Sequence, residues 1–66
     1  MAETFGQRLR RIRKEKGLTQ RTLAEKVGVN QHLISHYERE TNKPNVTTLE
    51  WICEALGVTA TELLGF

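Results

Sequence analysis

Sixty-six residues, 38% hydrophobic and 27% charged with a formal net charge of +2, supply one modest core and no more. This balance excludes a disordered tail, and no apolar run approaches the ~20 residues that a membrane-spanning helix needs. The single cysteine, Cys53, excludes an intrachain disulfide framework and fits a reducing, cytoplasmic setting. The N-terminus carries no apolar core of a secretory signal.

Five helices are predicted in chain order from their caps. The first starts at Thr4, with Gln7 three residues on as a capping-box partner, and Phe5, Leu9 and Ile12 form its apolar stripe up to Gly17. The second is capped by Thr19. Leu18 and Leu23 can close a hydrophobic staple across that cap, Val27 completes the apolar face and Gly28 ends it. The third is capped by Asn30 and runs to about Arg39, with Val29 and Ile34 as its staple. A loop, Glu40-Thr41-Asn42-Lys43-Pro44, follows. The fourth is capped by Asn45 and is expected to turn Val46, Leu49, Ile52, Cys53 and Leu56 inward, ending at Gly57. The fifth is capped by Thr59 with Glu62 as box partner, and Val58 staples to Leu63. No segment alternates with period two, so no strand is expected. The fold class is all-α, a compact five-helix bundle, with residues 1–66 forming a single domain.

The short second and third helices are joined by only Gly28-Val29-Asn30, which forces a sharp angle between them: a helix-turn-helix. On a wheel of the third helix, Ile34 and Tyr37 share one side with Leu33 at its flank. His32, Ser35, His36 and Arg39 lie opposite, and Gln31 sits in the exposed first turn. This face lacks the Glu/Lys pairs of an ordinary solvated helix and consists of hydrogen-bonding groups. Gln can pair bidentately with adenine, Ser can serve any base, and His can donate to the acceptors of guanine. Charge is also uneven along the chain. Residues 8–16 hold Arg8, Arg10, Arg11, Arg13, Lys14 and Lys16 against Glu15 alone, whereas no Lys or Arg follows Lys43. A basic end suits phosphates, although basic helices are as often simply solvated.

The stretch GLTQRTLAEKVGVNQHLISHYERETNKP, followed by TLEWICEALGVTATELL, resembles the phage-repressor and Cro-type helix-turn-helix family, also called the xenobiotic-response-element family. The resemblance covers about Phe5 to Leu64. It implies a lambda-repressor-like fold and a transcriptional regulator, most often a repressor, that binds double-stranded operator DNA as a two-fold dimer. By position it implies that Gln31, His32 and His36 read bases, with Ser35 beside them. Gln20 matches a phosphate-binding glutamine. Thr19 either reaches the same phosphate or serves only as the cap, and Arg21 is counted with this group. Arg39 and Lys43, with Asn42, match contacts to the second phosphate strand. Arg13 and Glu38 match a partly buried ion pair between helices one and three. Glu40 departs from the family, where glycine is common at that position, and its charge opposes phosphate.

Other readings have weaker support. His32 and His36 are four apart and could share an ion, but zinc sites need three or four protein ligands and no third is in reach, so no metal is expected. A protein-interaction or antitoxin-type partner-binding module would need an apolar groove, and the wheels show none. No nucleophile with a base and no paired carboxylates suggest an enzyme. No cofactor, small-molecule site or membrane partner is expected. The partner is instead a palindromic operator in the nucleoid. With the basic side on DNA, a homodimer contact is expected at the acidic end, through Ala60, Leu64 and Phe66. Whether the chain is a whole regulator or the N-terminal part of a longer one stays open.

Overall fold

The computed structural model describes residues 2–66. They form α1 (Phe5–Glu15), α2 (Gln20–Val27), α3 (Gln31–Arg39), α4 (Val46–Leu56) and α5 (Ala60–Leu64). No strand occurs among the described residues, and no helix is long and apolar enough to cross a membrane. The architecture is the expected all-helical bundle. α3 packs on α1 and α2, α2 on α4, and α5 closes against α1 and α4.

The helix starts follow from short-range chemistry. Thr4 accepts from the Gln7 amide at 3.2 Å while Gln7 Oε1 accepts from the Thr4 amide at 3.0 Å. Thr59 and Glu62 repeat this exchange, and Thr19 does so with Thr22. Asn30 and Asn45 cap with their side-chain carbonyls, which accept from His32 and Thr48 at 2.8 Å each. Each cap satisfies an amide that would otherwise lack a partner, at roughly 1 kcal/mol apiece.

The helix-turn-helix corner depends on Gly28. Its φ of 88° lies in the left-handed region, which lets the Val29 amide fold back on the Ala24 carbonyl at 3.0 Å. α3 ends with the same geometry but without glycine. Glu40 holds φ 62°, its amide donates to the Tyr37 carbonyl at 3.2 Å, and the Thr41 amide reaches the His36 carbonyl at 3.0 Å. A side chain in this conformation costs roughly 1–2 kcal/mol.

The core draws on every helix. Leu9, Leu23, Ile34, Ile52 and Leu63 are fully buried, and Ile12, Ala24, Val27, Tyr37, Cys53 and Leu56 surround them. Val46 departs from expectation, because it is 71% exposed. It is the first residue of α4, and side chains lean toward the helix N-terminus, so Val46 projects past the end of the helix instead of onto the core. Gly6, in contrast, is where α1 crosses the end of α3. A β-carbon there would collide with the Glu38 carbonyl oxygen and lie 2.8 Å from that of Tyr37.

Burial pushes the Cys53 thiol and the Tyr37 phenol above their ordinary values, and Glu50 and Glu62 add to the effect on Cys53. The neutral forms therefore favour the fold. Their contribution is complete below about pH 8.5, where the unfolded thiol is also protonated, and declines as pH rises further. We expect urea midpoints to be flat through neutrality and to fall above about pH 9, with Cys53 inert to thiol reagents until the chain unfolds. A midpoint that rises with alkaline pH would contradict this assignment.

Candidate nucleic-acid interface

The buried polar feature of the fold is the pair Arg13–Glu38. Nε and Nη2 of Arg13 donate to the two carboxylate oxygens of Glu38 at 2.6 and 3.2 Å, a fork-to-fork contact between α1 and α3. Nη1 of Arg13 donates to the Leu18 carbonyl at 2.8 Å, which ties in the turn before α2. The two side chains are 8% and 4% exposed, so the pair is a positioning device and not part of a binding surface. Glu38 also accepts from Nε2 of Gln20 at 3.1 Å. One carboxylate thus fixes α1, α3 and the first residue of α2 together. Resemblance alone pairs Arg13 with Glu38. It does not reveal that Gln20 joins them, because the contact arises only once the two helices are angled.

The outer side of α3 presents Gln31, His32, His36 and Arg39 exposed, with Ser35 partly so, while Ile34 and Tyr37 are buried. Nine helical residues span about 13 Å, comparable to the width of a DNA major groove. At the start of α2, Thr19 is occupied as N-cap by Thr22. The amides of Gln20 and Arg21 have no partner within the described residues, so they point free donors outward at the positive end of the helix. The Arg21 side chain lies 3.8 Å from Glu25, an exposed pair that constrains it little. Beyond α3, Nε of Arg39 rests 3.5 Å from the Ser35 carbonyl, Asn42 caps the Lys43 amide at 2.9 Å, and Lys43 is exposed. Ala60 and Phe66 are exposed and Leu64 is partly buried.

Three expectations need correction or addition. The basic run of α1 is not one open cationic face. Arg8 turns inward, donating to the Leu63, Leu64 and Glu3 carbonyls and packing against Gly65, so it locks α5 to α1. Arg11 is taken up by Glu3 at 2.8 Å and Glu15 at 3.1 Å, and the hydrogen bond from Arg11 holds the Glu3 carboxyl below the usual carboxylate range. Arg10, Lys14 and Lys16 remain without an ion pair among the described residues. Secondly, a shallow open hollow of about 490 Å³ lies between α2 and α4, lined by Lys26, Val27, Gly28, Trp51, Glu54 and Ala55. Trp51 is 48% exposed there, a feature the wheels did not flag. Thirdly, the ring of His36 has a partner, Thr41, that sequence reading missed. Among the described residues no group of three or more metal-binding side chains comes together.

Because Arg13 and Glu38 are buried, removing one leaves the other charged and unpaired. We expect Arg13→Ala to lower unfolding free energy by about 3–5 kcal/mol in urea titrations. Replacing both with apolar residues of similar volume should recover much of that loss. A single-variant loss below about 1 kcal/mol would place the pair among ordinary surface bridges.

Comparison with known proteins agrees with this geometry. A profile of the helix-turn-helix domain family matches residues 6–65. The chain is 40% identical over 62 residues to the immunity repressor protein of Bacillus phage phi105, covering 94% of this chain but 43% of that protein. Among solved structures it is similar to the P22 c2 repressor in complex with a synthetic operator, with a TM-score of 0.89, 33% identity and 96% of both chains covered. It is also similar to SinR, a master regulator for biofilm formation, in complex with DNA, with a TM-score of 0.85, 39% identity and coverage of 91% of this chain and 97% of that one. The chain therefore belongs to the helix-turn-helix family of phage-repressor and Cro-type regulators.

Proposed function

We propose that residues 1–66 act as one unit that binds a specific double-stranded operator and regulates transcription, most simply as a repressor. The observation that carries this reading is the outer face of α3: Gln31, His32, Ser35 and His36 form a run of hydrogen-bonding groups without Glu/Lys pairs, on a helix braced from behind. In this reading α3 enters the major groove and those four side chains read base edges. Gln20 and the free amides at the start of α2 hold one phosphate strand, with Thr19 and Arg21 beside them. Arg39, Asn42 and Lys43 approach the other strand. Glu38 holds Gln20 by one amide proton and leaves the second for a phosphate oxygen. Of the basic cluster at residues 8–16, Arg10, Lys14 and Lys16 remain available for long-range attraction. The action is binding alone, with no catalytic step, cofactor or metal, and its place is the cytoplasm, on the nucleoid.

A palindromic operator would be bound by a two-fold homodimer, which places two α3 helices one DNA turn apart, about 34 Å. The exposed apolar surface of Ala60 and Phe66, with the partly buried Leu64, is our proposed contact between copies. Phe66→Glu should then lower cooperativity on a palindrome in sedimentation experiments without changing half-site affinity.

Selection from random DNA tests the reading. A consensus should emerge, and affinity for it should fall steeply with salt, with a log–log slope of about −0.9 for each phosphate engaged. His32→Ala should relax preference at particular positions and weaken the best site by about 1–3 kcal/mol. Gln20→Ala should weaken all sites alike and keep the consensus. Equal affinity for every sequence, or exchange of these two phenotypes, would overturn the assignment.

A further inference from the structure

We propose that Thr41 fixes the tautomer of His36 and so decides which base His36 selects, an inference that rests on α3 being the reading helix. Nδ1 of His36 lies 2.7 Å from Oγ1 of Thr41, and the same hydroxyl lies 3.3 Å from the backbone carbonyl oxygen of His36. The hydroxyl has one proton to give. Given to Nδ1, it leaves hydroxyl oxygen facing carbonyl oxygen with no proton between them. Given to the carbonyl, it leaves a lone pair to accept from Nδ1–H across the short 2.7 Å contact, and the longer 3.3 Å contact becomes a weak hydrogen bond. Only the second arrangement satisfies both, and it forms a relay from ring to hydroxyl to backbone.

The left-handed turn at Glu40 holds this relay in place. It brings residue 41 back alongside residue 36, with the Thr41 amide on the same His36 carbonyl at 3.0 Å. The neutral ring then carries its proton on Nδ1. Nε2, on an exposed side chain and without a partner among the described residues, is a bare acceptor. Histidine free in water favours the opposite tautomer, so the assignment depends on Thr41. His32, one turn earlier, has no such ring partner among the described residues.

The tautomer sets base choice. In the major groove an acceptor pairs with the exocyclic amine of adenine or cytosine, whereas guanine presents N7 and O6, both acceptors. Neutral His36 therefore selects adenine or cytosine, the reverse of the guanine contact expected from histidine as a donor. Thr41 touches no base in this scheme. It is a positioning residue that acts through the imidazole, as the partner of a metal-bound histidine does.

The experiment has a spectroscopic arm and a binding arm, both at about pH 8. Nitrogen-15 NMR of the histidine rings in the free protein should show His36 with protonated Nδ1 and bare Nε2. Thr41→Ser should keep this form, and Thr41→Val should convert it to the Nε2–H form with the fold intact. In random-DNA selection, wild type and Thr41→Ser should require adenine or cytosine at one position that His36→Ala relaxes. Thr41→Val should lose about 3–10-fold of that preference over guanine, the worth of one hydrogen bond. Nε2–H in the wild-type ring, or a His36-dependent preference for guanine, would overturn the proposal while leaving DNA binding intact. A protein with the Nδ1–H ring but no selected consensus would instead sink the DNA-binding reading, and the base-selecting role of Thr41 with it.

Discussion

The geometry of this domain depends on the carboxylate of Glu38. It lies almost out of water and is held by a forked contact from Arg13, while it also accepts from Gln20. A charge in that position is tolerable only because its oxygens are met by donors. The same arrangement has a directional effect. It sets the rotation of α3 on the body, so Ile34 and Tyr37 face in and His32 and His36 face out. Because Gln20 answers to the same carboxylate, the first residue of α2 and the outer face of α3 keep a fixed spacing. A binding surface assembled from two helices needs that kind of shared anchor, since small rotations of either would separate its parts.

Two close approaches complete the support. Gly6 lets α1 lie against the carbonyls at the end of α3, a place where any side chain would push the helices apart. Arg8 caps the C-terminus of α5 and joins it to α1. The cluster of cations at residues 8–16 is thus divided by geometry into structural and free members. Arg8 and Arg13 hold the fold, Arg11 is bound to two carboxylates, and Arg10, Lys14 and Lys16 have no ion pair among the described residues.

Much of this was legible in the sequence, and the reason is range. Caps such as Thr4–Gln7 and Thr59–Glu62 act over three residues, so their chemistry can be read directly from the chain. The buried and exposed sides of α3 follow from its own period. The features missed depend on tertiary placement. Nothing local indicates that Arg8 turns to carbonyls 55 residues away, or that Trp51 would border an open hollow. Val46 fits the apolar period of α4 yet misses the core because its helix begins there. Thr41 was hidden for a subtler reason. With glycine expected after α3, residue 40 read only as a departure from pattern. Yet the left-handed turn persists at Glu40, and that turn brings residues 36 and 41 together. The six-to-one geometry of a helix end is a usable signal for such pairs.

The central claim is that α3, held by Glu38, is the surface that meets DNA. An amide-by-amide NMR titration of the protein with its selected operator tests it most directly. We expect the largest changes at Gln31, His32, Ser35 and His36 and at the start of α2 around Gln20, with the Trp51 indole unmoved. Changes centred on Trp51 and the α2–α4 hollow, with α3 unperturbed, would contradict the claim and move the working surface to the other side of α2.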